Sequence, residues 1–394
     1  MISLQLPRPH ESAGLDALRA EVREFLATEL RNTSYSFFGE FDPAFSEALG
    51  RRGWIGMSFP RQYGGGARSV LERHVVLEEL LAARAPIYAH SIADRQSGPL
   101  LLRFGQEWQR REILPRIAAG TCYFCIGMSE PDSGSDLASV RTRGKKVDGG
   151  WRVNGAKIWT SSAHRSHYMV LLCRTGEPGQ GRHGGLSQLL VDLKTPGITC
   201  RQIVNMAGEV DFNEVVFDDV FIGDEMLIGE EGQGWKQVTS ELSFERSGPE
   251  RFLSAQGLLE EVVGVLHGAA GHSPAGAVAV GRLVAHLSTL RRMSRSIATM
   301  LDRGEEPAMQ AAIVKDLGTV YEQEIPEVLR LLAQAEPDTT SSNPYAAALA
   351  EVMLRAPSCT LRAPPPYWRG KLMPTQPRRP SAWLKAGSNS PKKL

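Results

Sequence analysis

The chain has 394 residues, with 45 basic and 44 acidic side chains and 42% hydrophobic residues. That length allows two or three domains and a sizeable core, and the composition excludes disordered and collagen-like chains. Eight basic side chains fall within 361–394 and no acidic residue follows Glu351, so residues 1–360 sum to −7, a body not expected to bind nucleic acid.

In chain order, the opening MISLQLPRPHESAG has no basic stretch leading into an apolar one, so no export signal is expected. Residues 1–120 read as an N-terminal helical domain. Leu15, Leu18, Val22, Phe25, Leu26 and Leu30 recur at helical spacing. Tyr63-Gly64-Gly65-Gly66 breaks the chain, and helical patterns resume over 70–81 and 113–117. Residues 121–230 read as a central β domain, a small antiparallel barrel or sandwich. Its strands are expected at 122–128, 151–159, 167–173, 186–193, 197–203 and 213–222, with a hairpin turn at Asp148-Gly149-Gly150. Residues 231–360 return to helical periodicity, with helices expected over 235–247, 250–268, 275–302, 308–334 and 344–355. Residues 361–394 form a basic tail with seven prolines and no period. The fold class is therefore α+β multidomain: helices, a β domain, then a helical bundle. No run of 18 apolar residues predicts a membrane helix, and five scattered cysteines fit a reduced, cytoplasmic chain.

Several motifs carry little chemistry. Gly179-Gln-Gly-Arg-His-Gly184 matches a dinucleotide pattern but precedes a strand rather than a helix, so it reads as a loop. Cys122-x-x-Cys125 lies in an apparent strand, where the two side chains face opposite sides, and reads as buried thiols. His164 and His167 have no carboxylate or cysteine set to complete a metal site.

Three segments say more. The loop Gly127-Met-Ser-Glu-Pro-Asp-Ser-Gly-Ser-Asp136 offers hydroxyls and approachable N–H groups to an anionic or heteroaromatic ligand, or is an ordinary turn after a strand. Asn154 to Ser162 sets Trp159 beside three hydroxyls, which suits a stacked cofactor ring or a core Trp capping the barrel. In Glu241 to Arg251, at about 100° per residue, Glu245 falls inside the apolar stripe of Trp235, Val238 and Leu242, and Glu241 at its edge. A carboxylate there is either ion-paired to a cation such as Arg246 or Arg251, or a general base with a raised pKa.

These segments, in this order, resemble the acyl-CoA dehydrogenase family. Pro60 to Gly66, Arg103 to Gly120 and Phe217 to Trp235 extend the resemblance, which covers about residues 11 to 362. It implies FAD between the β domain and the C-terminal helices. Its flavin-contacting loop corresponds to Ile126, Gly127, Met128 and Ser129, and a second flavin segment to Trp159, Thr160 and Ser161. Ser135 matches a serine near the acyl-CoA thioester arm, and Phe244 and Arg246 line the acyl and CoA site. Family members carry the base in a C-terminal Glu-Gly-Thr or as a glutamate before arginine on the helix after the β domain. This chain has Glu245-Arg246 and no Glu-Gly-Thr, so the resemblance makes Glu245 the catalytic residue.

The implied reaction is α,β-dehydrogenation of an acyl-CoA, with electrons passed to an electron-transfer flavoprotein. The implied assembly is a homodimer, a homotetramer, or a heterotetramer with a related chain. Three departures qualify this picture. An Arg-x-x-Phe-Gly segment is absent from 252–290, and Ala335 to Pro344 replaces a Gly-Gly-x-Gly-Tyr segment. Ala363, Pro364 and Pro365 stand where Gly-Gly-Thr is expected, an atypical C-terminus consistent with a shifted reading frame and with weak FAD binding or inactivity. Two alternatives stay open: a flavin oxidase or monooxygenase of the same fold, and a non-catalytic or half-site subunit of a heteromeric enzyme.

Overall fold

Apolar residues three and four apart turn one face of each N-terminal helix inward. α1 (Ala13–Glu29) buries Leu15, Leu18, Val22, Phe25 and Leu26 on a single stripe. α2 (Pro43–Arg51) begins at Asp42, whose carboxylate accepts from the Phe45 N–H at 3.0 Å. α3 (Val70–Ala82) opens with a capping box in which the Ser69 and Glu72 side chains each accept from the other's backbone N–H. α4 (Tyr88–Ile92) runs through a π-helical turn, Ala93–Ser97, into α5 (Gly98–Phe104), and α6 (Glu107–Ala118) follows. The computed structural model describes residues 6–9, 13–31, 33, 40–176, 181–268 and 274–357, and of 242–245, 265, 267 and 268 the backbone alone. The tail from 361 to 394, with Ala363, Pro364 and Pro365, lies outside the described residues.

Every strand expected from the sequence is present. β1 (Phe124–Gly127), β2 (Arg143–Val147), β3 (Gly150–Ser161), β4 (Tyr168–Arg174), β5 (Leu186–Asp192), β6 (Ile198–Val204), β7 (Val210–Gly223) and β8 (Leu227–Ile228) share one sheet. Their order is β6-β7-β3-β2-β4-β5-β8, with β1 beside β4. β2 and β8 are additions to the expected set. β2 is charged and largely exposed, so it has no apolar run to mark it, and β8 is only two residues long. The sheet is mixed rather than purely antiparallel, because β1 pairs parallel with β4. The whole β2–β3 hairpin separates them in the chain, a connection long enough for parallel pairing. Gly149, at φ 74°, makes that hairpin's turn as expected. The described part of the Gly179–Gly184 motif is a loop between β4 and β5.

Helices resume with α7 (Gly234–Glu245), α8 (Gln256–Gly268), α9 (Pro274–Asp302), α10 (Ala308–Ala333) and α11 (Pro344–Arg355). The helix expected over 250–268 begins only at Gln256, after a 3-10 turn at Pro249–Arg251. Gly318 of α10 packs so closely on this turn that a Cβ there would lie 2.3 Å from the Arg251 carbonyl oxygen. One buried cluster runs through both helical sets, including Phe25, Val75 and Leu101 with Phe252, Leu290 and Leu349. A second fills one face of the sheet around Trp151, Met169 and Phe217. Glu78 of α3 joins the two helical sets by accepting from Arg19 of α1 at 2.7 Å and Arg291 of α9 at 2.9 Å. Asp302, ending α9, accepts the Val70 and Leu71 N–H groups at the start of α3.

Candidate functional site

β3 and the loop after β1 are locked together by a buried ion pair that the motifs themselves do not single out. Lys157 is fully buried and meets Glu130 at 2.8 Å. Glu130 also accepts the N–H groups of Arg141 at 2.6 Å and Thr142 at 2.8 Å, and Lys157 donates to the Met128 carbonyl at 3.0 Å. The Ile158 N–H donates to the Ser129 carbonyl at 2.9 Å. Burial pushes the Glu130 carboxyl up, but Lys157 and these donors outweigh it and hold its pKa below the ordinary value. Burial lowers that of Lys157 against the pull of Glu130. The signal for Lys157 was its period-two place in line with inward-facing Trp151 and Val153.

Just beyond Lys157, the β3–β7 register shifts between Lys157 and Thr160, and Trp159 takes φ 59°. A left-handed conformation is uncommon for a residue with a large side chain, and such strain gathers at functional sites. The bulge leaves the indole 45% exposed, edge-on to Phe212 at 5.9 Å between ring centroids. The core tryptophan of this sheet is Trp151, not Trp159. Thr160 is buried, its hydroxyl has no hydrogen-bond partner among the described residues, and its carbonyl accepts from Asn213 at 3.0 Å. Asn213 in turn meets His164 Nδ1 at 2.9 Å. Ser161 is half-buried, as are Ile126, Met128 and Ser129, and Gly127 is buried. A Cβ at Gly127 would lie 2.6 Å from the Met169 sulfur, so the strand admits no side chain there.

This arrangement fits the expected flavin. The features that fit it are the exposed Trp159 indole, a candidate stacking face, and the half-buried Ile126, Met128, Ser129 and Ser161 beside it, whereas the Thr160 hydroxyl is sealed from the surface. Ser135 sits exposed on the loop that follows, while Ser133 is buried and fixes that loop by donating to the Asp136 carbonyl at 2.9 Å.

α7 packs on β5 and the π-helical turn. Glu241, placed at the edge of the apolar stripe by its wheel position, is in fact 2% exposed. Gln188 of β5 donates to it at 3.2 Å and Gln96 of the π-helical turn at 3.5 Å. The wheel counts α7 alone, whereas these two neighbours wrap the helix beyond its own stripe. Burial pushes the Glu241 carboxyl up to about 7, opposed by Gln188 and Arg95. Glu245 is the last residue of α7 and Arg246 follows half-buried. The side chains of Phe244 and Glu245 lie outside the described residues, and so does the alternative ion pair of Glu245. Beyond α7, Arg95 pairs with buried Glu250 at 2.9 Å, and Arg73 with Asp94 at 2.6 Å.

Cys122, Cys125 and Cys173 are buried free thiols, and burial pushes Cys122 up to about 11. His167 Nδ1 accepts from the Tyr123 N–H at 3.0 Å. Among the described residues no group of three His, Cys, Asp or Glu could hold a metal ion, and no helix is long and apolar enough to cross a membrane.

Comparison with known proteins matches two family models: the acyl-CoA dehydrogenase N-terminal domain over residues 12–121 and the acyl-CoA dehydrogenase middle domain over residues 125–220. The chain is 38% identical over 243 residues to acyl-CoA dehydrogenase IpdE1 of Mycobacterium tuberculosis (strain ATCC 25618 / H37Rv), covering 59% of this chain and 63% of that one. It is 34% identical over 282 residues to acyl-CoA dehydrogenase FadE34 of the same organism, covering 72% of this chain and 39% of that one. The match thus spans less than two thirds of either relative. Among solved structures, the fold is similar to the Tcur3481-Tcur3483 steroid ACAD, with a TM-score of 0.79 and 26% identity over 93% of this chain and 99% of that chain. It is equally similar to the ChsE4-ChsE5 complex from Mycobacterium tuberculosis, with a TM-score of 0.80 and 26% identity over 93% and 97%. Sequence, element order and these likenesses agree: the chain belongs to the acyl-CoA dehydrogenase family, whose members are in general FAD-binding oxidoreductases.

Proposed function

We propose that the chain removes two hydrogens across Cα–Cβ of an acyl-CoA thioester, giving the 2,3-enoyl-CoA. The observation that carries this reading is the Trp159 bulge tied through Lys157 and Glu130 to residues 126–129, with the carboxylate-bearing helix α7 packed on the same sheet. FAD, when bound, supplies the acceptor for the β-hydrogen as hydride. Ile126, Gly127, Met128 and Ser129 would hold it together with Trp159, Thr160 and Ser161. Glu245, as carboxylate, takes the α-proton. That proton is weakly acidic, so the thioester carbonyl needs donors as charge develops on it. Phe244 and Arg246 line the substrate channel, and Ser135 meets the thioester arm. A water-poor pocket strengthens each of these contacts.

A second reading of the base has its own support. Glu241 stands one turn before Glu245, buried and with a pKa of about 7, where a general base works best near neutral pH. The two are separated by anaerobic flavin bleaching with a panel of acyl-CoAs. With Glu245 as base, Glu245→Gln keeps its flavin and loses about 10²–10⁴ in rate. Loss confined to Glu241→Gln moves the role to Glu241, and full activity in both variants removes α7 from the chemistry. Peroxide formed in air in place of dye reduction would identify an oxidase. The electron acceptor is an electron-transfer flavoprotein. Assembly with a related chain is supported by the two-chain names of both similar structures and by the absent Arg-x-x-Phe-Gly segment. Flavin content measured with and without a co-expressed relative tests it.

A further inference from the structure

β7 holds the Trp159 turn through three consecutive residues. The Ser162 N–H donates to the Asp211 carbonyl at 2.9 Å, the Phe212 ring stands edge-on to the Trp159 indole at 5.9 Å, and the Asn213 amide donates to the Thr160 carbonyl at 3.0 Å. On the other flank, the Ile158 N–H is bonded to the Ser129 carbonyl at 2.9 Å. Trp159 thus lies between two anchored neighbours, and it carries the left-handed φ of 59°. That conformation is costly for a bulky side chain and persists only where its surroundings impose it. A bulge that relaxed into regular strand would re-aim its side chain.

Among these anchors, Asn213 has an orientation that chemistry fixes. It is fully buried. A carbonyl can only accept, so the amide nitrogen faces Thr160 and the amide oxygen faces His164 Nδ1 at 2.9 Å. That oxygen can only accept in its turn, so His164 carries a proton on Nδ1. Burial and the nearby Arg165 lower the imidazole pKa against the pull of Asn213, so the ring is neutral near pH 7 and Nδ1–H is its one N–H. His164 therefore keeps the Asn213 amide from flipping, and the amide keeps the Thr160 carbonyl in place. Neither residue belongs to the two segments that correspond to the family's flavin contacts.

We propose that Asn213, seated on His164, is a positioning residue for the flavin: it holds the turn that presents the Trp159 indole. The inference rests on the acyl-CoA dehydrogenase reading and extends its cofactor site to two residues that act through Thr160 rather than on the cofactor itself. Asn213→Leu removes both hydrogen bonds at similar volume. The freed Thr160 carbonyl then lets the bulge relax, and the indole loses its fixed direction.

The test is titration of the flavin-stripped protein with FAD, followed by quenching of flavin fluorescence. Asn213→Leu weakens FAD binding by about tenfold, the size of one good hydrogen bond. In a Trp159→Ala background the same substitution costs less than about twofold, because an effect carried by the indole vanishes with it. Val215→Ala, which opens a cavity in the buried core of the same strand, leaves FAD affinity within about twofold of the parent. Undiminished affinity in Asn213→Leu, equal losses in both backgrounds, or an equal loss from Val215→Ala overturns the proposal. Should Asn213→Leu not fold, Asn213→Asp gives the same comparison, since it keeps the acceptor for His164 and removes the donor to Thr160. A nitrogen-15 spectrum of the unaltered protein, with His164 assigned by its loss in His164→Gln, shows the Nδ1-protonated ring near pH 7. The Nε2-protonated ring overturns the proposal without any variant at Asn213. If Trp159→Ala weakens FAD binding and Asn213→Leu does not, only this inference falls. If Trp159→Ala leaves FAD affinity unchanged, the cofactor reading of the bulge falls with it.

Discussion

Lys157 and Glu130 illustrate how single residues tie the two candidate flavin segments together. Removing one partner leaves the other charge buried, so Lys157→Met should cost about 3–5 kcal/mol and lower flavin retention. Lys157→Met with Glu130→Gln should recover most of the stability, and thermal midpoints of the three proteins check this. Glu241 makes a pH-dependent prediction. Its folded pKa of about 7 lies above the ordinary 4.5, so the native state keeps a proton that the unfolded chain has released between those values. Its contribution is complete below pH 4.5 and disappears as pH rises through 7. Glu241→Gln is neutral throughout, so its stability relative to the parent should rise from pH 5 to pH 8, by at most about 3 kcal/mol. His74 and His90, both lowered to about 4 by burial, tilt the curve the other way but act alike in both proteins and cancel in the difference. Chemical denaturation across that range measures it. Lys157 was readable from strand alternation. The burial of Glu241 was not, because Gln96 and Gln188, which enclose it, lie far away in the chain.

Elements divide along the same line. Runs with a clean period, such as α1 and β4, stand out from their own residues. β2 does not, because its exposed charged side chains obey the pleat without leaving an apolar signature. The turn that precedes α8 packs against Gly318, more than sixty residues downstream. An alanine inside an ordinary helix stabilises relative to glycine by about 0.5–1 kcal/mol. At Gly318 the added Cβ would meet the Arg251 carbonyl oxygen at 2.3 Å, and this backbone clash outweighs propensity. Gly318→Ala should therefore destabilise, by about 1–3 kcal/mol, with the shift appearing in guanidinium unfolding. An unchanged or higher midpoint would show that α10 moves freely against the turn at Pro249–Arg251.

At the scale of the whole molecule, the helix–sheet–helix order was legible because the hydrophobic period changes twice along the chain. What joins the helical sets was not: Glu78 recruits Arg19 and Arg291, which lie far apart in the sequence. Burial pushes the Glu78 carboxyl up, yet Arg291 and its other partners prevail and hold it at about 2. A depressed carboxyl stabilises above its unfolded value of 4.5 and loses that contribution as pH falls toward 2. Acid unfolding should accordingly separate α1, α3 and α9 in one transition, followed by the fluorescence of Trp54, which packs edge-on to Phe25 at 5.1 Å. Arg291→Leu should move that transition to higher pH, and an unmoved midpoint would assign the acid sensitivity elsewhere.

The sealed thiols of the sheet have a practical consequence. Cys125 on β1 and Cys173 on β4 are wholly buried, and burial holds both as protonated thiols at any ordinary pH. An alkylating reagent meets them only during the intervals when these adjacent strands part, so its rate of labelling becomes a clock for that opening. Because β1 runs directly into residues 126–129, the same clock should slow when a cofactor occupies that segment, which lets occupancy be timed in protein that turns over nothing.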